Sequence, residues 1–240
     1  GQGSFTTTDG FKYEGAWVAG RMEGTGSITY PDGSVYIGAM KADQPNGQGA
    51  ITYPDGSTYQ GNWAAGVISG EGRATYKDGR VYEGSFKQAK PDGKGLMTYP
   101  DGYRYEGDWV AGERQGVGSA VYPDESLYKG EFKAGLRDGQ GEFSTTDGFK
   151  YVGAWVAGQI EGQGVATYPE GDIYEGLFKA GKREGQGKLT YTSGEVAEGI
   201  WQNGILTAPP EAPAEAAPAE GEAPVAPAEG TAPAEPATTP

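Results

Sequence analysis

Along residues 13–35, apolar residues or glycines take every second position in two short runs, Tyr13/Gly15/Trp17 and Gly24/Gly26/Ile28/Tyr30, with a polar turn between them. An alternation of period two marks a strand with one buried face, so the segment predicts the two strands of a β-hairpin. Pro31-Asp32-Gly33 follows as an exit turn. Pro presets φ for a type I turn, Asp bonds nearby backbone, and Gly takes the left-handed position that closes a bulge.

The same pattern returns every 23 residues: Tyr13 is followed by Tyr36, Tyr59, Tyr82, Tyr105, Tyr128, Tyr151 and Tyr174, each with a glycine two places on and a Gly-x-Gly in the second strand. Eight full copies run without spacers from Tyr13 to Val196. A part copy precedes them, and a ninth that begins at Ala197 stops at Leu206. A period of this length means an array of supersecondary units. The glycines are expected to be sockets on which the aromatic rings lie. All five tryptophans, Trp17, Trp63, Trp109, Trp155 and Trp201, stand 46 residues apart, with Met40, Phe86, Phe132 and Phe178 between them, so odd and even repeats differ. The expected architecture is all-β: an elongated single-layer antiparallel β solenoid of hairpin repeats over residues 1–206, with about 17 strands by two per repeat.

From Ala208 the composition changes to Pro, Ala and Glu, with nine prolines in 33 residues and no aromatic residue. Such a stretch buries too little to fold, so residues 207–240 are expected to be a disordered, partly polyproline-II tail. The tail resembles spacers of bacterial envelope proteins. The chain also begins without Met, on the second strand of a hairpin, which leaves room for a removed signal peptide. These features favour the periplasm or cell envelope over the cytoplasm.

Composition narrows the chemistry. The 44 glycines and 36% hydrophobic content suit a thin aromatic-on-glycine sheet rather than a thick core. With no Cys and no His, thiolate nucleophiles, disulfides, imidazole bases and nearly every zinc site are excluded. Net charge is −14, and the repeats alone hold 27 acidic against 19 basic residues. Nucleic-acid binding is therefore not expected, and membrane contact is disfavoured, because both need a basic face.

The unit YEGxWxxGxxxGxGxxxYxxGxx, held in eight consecutive copies, resembles the MORN repeat (membrane occupation and recognition nexus). The resemblance covers residues 1–206 and implies an elongated single-layer β array. MORN arrays occur in junctophilins, in plant phosphatidylinositol phosphate kinases, beside methyltransferase domains and in many bacterial proteins. The family name implies lipid contact, while members also serve as dimerisation and docking modules. Kinase chemistry does not carry over, since no catalytic domain accompanies the repeats.

Candidate sites were weighed against plain structural roles. Gly-x-Gly lacks the third glycine and helix of a dinucleotide fingerprint and the Gly-Lys-Ser/Thr of a P-loop, so strand packing explains it better. The turn acids Asp32, Asp55, Asp78, Asp101, Asp124, Asp147 and Glu170 form a column, but one carboxylate per repeat does not converge on calcium. Trp17, Trp63, Trp109 and Trp155 are binding or packing aromatics. Lys41, Lys87, Lys133 and Lys179, on the opposite parity, form a charged stripe. Trp201, Ile205 and Leu206 are the candidate dimer end, where a worn terminal rung could pair with a second copy. A paired-carboxylate glycosidase is the least favoured reading, because no acid pair departs from the repeat pattern. The sequence thus points to a non-enzymatic scaffold without cofactor that docks a protein partner, with a lipid-headgroup binder as the alternative.

Overall fold

The computed structural model describes residues 1–207, so the expected tail lies outside the described residues from 208 onward. The described chain is all-β, with 19 strands and no helix. The count exceeds 17 because the ninth copy, though truncated, forms both its strands, Val196–Gln202 and Ile205–Thr207. Two compact units divide it, Gly1–Glu113 and 114–207. In each unit every strand runs antiparallel beside its neighbours in sequence, giving a single-layer meander.

After the short β1 (Gln2–Thr6), the first full repeat consists of β2 (Lys12–Val18) and β3 (Arg21–Thr29). β3 is the longer because it carries a bulge: Gly15 faces Gly26 but Trp17 faces Met22. The two glycines of Gly-x-Gly therefore have different tasks. The first, Gly24, sits at φ 75 and makes the bulge. The second, Gly26, faces Gly15 across the strand pair, and on this glycine pair lies the ring of Tyr13. In the third copy a Cβ on Gly72 would come within 2.5 Å of Tyr59 Cε2, closer than carbon atoms can approach. Each socketed tyrosine then donates its hydroxyl to a carbonyl three residues on, as Tyr13 does to Ala16 at 2.8 Å and Tyr59 to Asn62 at 2.9 Å. The ring is buried and its polar atom satisfied within one hairpin.

Consecutive hairpins are joined by the rings themselves. In the first unit Tyr36, Trp63, Tyr59, Phe86, Tyr82, Trp109 and Tyr105 meet in edge-to-face contacts with centroids 4.9–5.7 Å apart. The second unit repeats this from Tyr128 to Trp201 at 5.1–5.5 Å. Edge-to-face pairs contribute about 0.5–1.5 kcal/mol each beyond the area they bury, so the zigzag supplies a core to a sheet with no second layer. Burial pushes the phenols of Tyr36, Tyr59 and Tyr174 up to about 12.

The turns add a second lock. Each hairpin closes with two residues of positive φ, Ala19 (49) and Gly20 (78) in the first copy, the type I′ pair that suits right-twisted strands. Sequence pattern marks this only as a polar turn, yet alanine holds the strained first position at residues 19, 42, 65, 111, 134, 157 and 180. The cost is offset because, from the second copy on, the second turn N–H is bound by the preceding repeat, and in most copies the first is as well. Gly158 N donates to Arg137 O at 2.8 Å, and Ala157 N to Asp138 Oδ2 at 3.1 Å. The exit turns follow the expected type I plus bulge, with Gly33 N donating to Tyr30 O at 2.9 Å and Tyr30 N to Ser34 O at 2.8 Å.

Three outcomes follow for stability. Gly72→Ala should destabilise by about 3 kcal/mol through overpacking, and Tyr59→Ala by about 3–5 kcal/mol. The double variant should fall short of their sum by about 1–3 kcal/mol, because without the ring the new methyl has room; additive losses in denaturant unfolding would remove the socket. Ala157→Asn should raise stability by about 0.5–1 kcal/mol, since asparagine tolerates the left-handed region in which alanine is strained. An unchanged unfolding midpoint would show that the turn costs nothing. The third concerns pH: the folded state keeps its socketed phenols protonated, whereas the unfolded chain ionises from about pH 10. The stabilisation is complete below pH 10 and is lost as pH climbs toward 12. Absorbance at tyrosinate wavelengths should rise with cooperative unfolding; smooth titration of a folded chain would contradict it.

Candidate functional site

Trp63, Trp109 and Trp155 are buried, Trp17 is partly exposed, and all four stand on the inner face, where each touches a socketed tyrosine. The indole N–H groups of Trp63, Trp109 and Trp155 donate to the carbonyls of Gly49, Gly95 and Gly141 in the repeat before, at 3.3, 3.0 and 3.4 Å. Phe86 and Phe132 have no such donor. Odd and even copies thus differ in a bond between repeats, and the ladder's polar atoms are used inside the sheet.

Lys41, Lys87, Lys133 and Lys179 are exposed at the hairpin-turn side of the outer face, paired across the strand with Gln44, Lys90, Leu136 and Lys182. Elsewhere on this face charges of both signs interleave. Arg73 meets Glu83 at 2.7 Å, Lys94 meets Asp108 at 2.6 Å, and Lys188 approaches Glu175 at 4.0 Å. Val152 and Val165, facing each other across a strand pair, add an exposed apolar step in the second unit. Trp201 is buried, Leu206 partly exposed and Ile205 exposed.

Sequence reasoning missed a set of buried arginines. Arg114, Arg137 and Arg183 occupy the inward position two residues before Gly-x-Gly, where other copies hold Met22, Pro45, Ile68, Pro91 or Ile160. The Arg137 guanidinium lies 4.4 Å from the Trp155 centroid and 5.7 Å from that of Tyr122; Arg183 stands 4.3 Å from Trp201 and 5.8 Å from Tyr168. Their Nη2 atoms donate to Gly158 and Gly204 carbonyls at 2.8 Å. Strand parity was the available signal, since it places this position inward whatever the residue.

The exit-turn side carries a second aromatic row, Tyr30, Tyr53, Tyr76 and Tyr99 in the first unit, partly exposed, with an exposed turn carboxylate beside each. The carboxylates hold their own turns. Asp55 accepts from Ser57 Oγ at 2.6 Å and Ser57 N at 2.9 Å, and Asp124 from Ser126 Oγ at 2.6 Å. The hydroxyl bonds first, then the backbone N–H bonds, draw both acids below the ordinary aspartate range. Among the described residues no group of three or more acids, His or Cys is placed to hold a metal.

The repeat grammar is matched by a family model. The MORN repeat model fits residues 13–35, 36–58, 59–79, 82–102, 105–126, 128–149, 151–173 and 174–196. No curated protein matches the chain in sequence. Among solved structures the chain is similar to the TCP10 domain of Danio rerio CPAP, at 14% identity over 85% of this chain and 97% of that one, with a TM-score of 0.48. It is also similar to the SAS-4 (dCPAP) TCP domain of Drosophila melanogaster, solved in complex with a proline-rich motif of Ana2, at 16% identity over 74% and 90% of the two chains, with a TM-score of 0.41. With eight consecutive matches covering most of its length, the chain belongs to the MORN repeat family.

Proposed function

We propose that the array is a non-enzymatic docking scaffold for a protein partner. MORN repeats fit a protein-interaction module. The observation that carries the reading is the outer face, where cations sit beside carboxylates: Lys12 with Glu14 at 2.8 Å, Arg73 with Glu83, Lys94 with Asp108. Exposed pairs like these contribute little to stability. Their arrangement leaves a mixed surface suited to a patterned protein partner rather than the continuous positive field that anionic lipid requires.

A photo-crosslinking amino acid placed singly at Gln60, Glu83 or Glu106 of the full chain should capture one and the same protein in the source cells. Flotation with vesicles containing phosphatidylserine and phosphoinositide should leave the chain at the bottom of the gradient. Co-flotation with vesicles and no protein adduct from any of the three positions would replace this reading with the lipid one.

A further inference from the structure

Charge is spread unevenly over the outer face of the first unit. On β3 and on β4 (Val35–Lys41), β5 (Gln44–Thr52) and β6 (Thr58–Ala64), the three outward residues nearest each exit turn make twelve positions, and none is charged. β3 presents Thr25, Ser27 and Thr29, β4 presents Val35, Ile37 and Ala39, and β5 and β6 add only Ala, Thr, Gln and Asn. On the next four strands seven of the twelve equivalent positions are charged. None of the field is buried, and Ile37 near its centre is 59% exposed. Two of its amides are already engaged within the sheet, Gln48 Nε2 donating to Asn62 Oδ1 at 2.6 Å and Asn62 Nδ2 to Glu71 O at 3.1 Å. Small, uncharged side chains let a second sheet pack at about 10 Å without stripping a charge of its water.

The rim selects what covers the field. Cross-strand register sets Glu14, Ser27, Ile37, Ala50, Gln60 and Arg73 in one outward row, one residue per strand from β2 to β7 (Val67–Thr75), with an acid at one end and a base at the other. A two-fold axis along the strands, between β4 and β5, lays the same row of a second copy over this one in reverse. Glu14 then meets Arg73 at both rims, Ser27 meets Gln60, and the large Ile37 meets the small Ala50. A two-fold axis along the row would instead oppose Glu14 to Glu14 and Arg73 to Arg73, so charge selects the first arrangement. Both rim residues have partners of their own, Glu14 with Lys12 at 2.8 Å and Arg73 with Glu83 at 2.7 Å. These pairs are about half exposed and need not break, because contact joins them into a chain of alternating sign, Lys12–Glu14–Arg73–Glu83. Residues 208–240 hold no Lys or Arg that could meet Glu14.

We infer that the outer face of β3–β6 is an isologous interface whose occupant is the same face of a second copy of this chain. Six strands of about 4.8 Å by three outward positions of about 6.6 Å give roughly 550 Å² per copy, against about 800 Å² in a standard interface, so the dimer is weak. The inference goes beyond the docking reading: it concerns the uncharged strands, whereas that reading rests on the charged pairs.

The test uses the purified full chain in sedimentation velocity, where a reversible dimer with a dissociation constant on the order of 0.1 mM is expected. Ile37→Lys should weaken dimerisation at least about tenfold. Glu14→Arg and Arg73→Glu should each weaken it about fivefold, because each sets like charges at both rims. Mixed together, these two variants should associate as the parent does, because the mixed pair opposes unlike charges at both rims. Within one chain residues 14 and 73 stand five strands apart, about 24 Å, so only contact between copies gives this rescue. A photo-crosslinking amino acid at Ile37 should yield a covalent dimer joined at Ala50 or its sequence neighbours. Melting curves confirm that each variant is folded. A monomer at every concentration up to about tenfold above the expected constant would overturn the inference. So would a mixture that associates no better than its separate variants, or an Ile37 adduct to residues 208–240, which would make the tail the occupant. Dimers that withstand Ile37→Lys but not Ile205→Asp would place the contact at the terminal rung and overturn it equally. Adducts with another protein at Glu83 and Glu106 in the source cells decide the docking reading alone, so the two readings fail separately.

Discussion

A tyrosine ring resting on two facing glycines is the contact on which the rest depends. It needs both glycines bare, because a Cβ on either would enter the ring or the opposite backbone, as at Gly61, where it would lie 2.5 Å from Gly72 Cα. It needs the hydroxyl to reach a carbonyl, which the tyrosine finds three residues along its own strand. Once these are met in one hairpin, the ring's edges are left for its neighbours, and the aromatic residue four places on fits between two such rings, as Trp63 does between Tyr36 and Tyr59. A sheet that would otherwise show one wet face thus acquires a core one ring thick. Its stability grows copy by copy from near-neighbour contacts, without the long-range packing of a two-layer domain.

That contact also explains why so much strain is tolerated elsewhere. A hairpin closed in two residues keeps the glycine pairs in register, and it demands left-handed backbone at both turn positions. The chain accepts alanine there in seven copies, and from the second copy on each turn is held by the repeat before it through a backbone bond and usually a side-chain acceptor such as Asp92, Asp138 or Glu161. Those acids look like free surface charge in sequence. In the fold they are caps for a neighbour's turn, as the exit-turn aspartates are caps for their own.

How far the sequence could be read follows from which features are local. The hairpins, the exit turns and the glycine sockets are each encoded within one 23-residue unit, so the pattern of Tyr13, Gly15, Gly24 and Gly26 was enough to place them. Two kinds of feature escaped. The division of labour within Gly-x-Gly depends on a bulge that shifts register between Gly15 and Trp17, and alternation alone cannot count a bulge. The inward arginines escaped because charge argues for the surface, while burial of Arg137 and Arg183 depends on rings from adjacent hairpins that only the assembled sheet brings together. Candidate chemistry was least legible, since it lies in differences between copies rather than in the repeat.

Those differences concentrate at positions the ladder does not use. The socket tyrosine and its two glycines vary little, but the inward residue before Gly-x-Gly runs through Met, Pro, Ile and Arg without disturbing them. Where it is arginine in the second unit it reaches the tyrosine near the exit turn of the repeat before, as Arg137 reaches Tyr122 and Arg183 reaches Tyr168. A repeat fold of this kind separates what must be constant from what can be tuned. One side chain per copy sets the local character of the inner face while the rings beneath remain fixed.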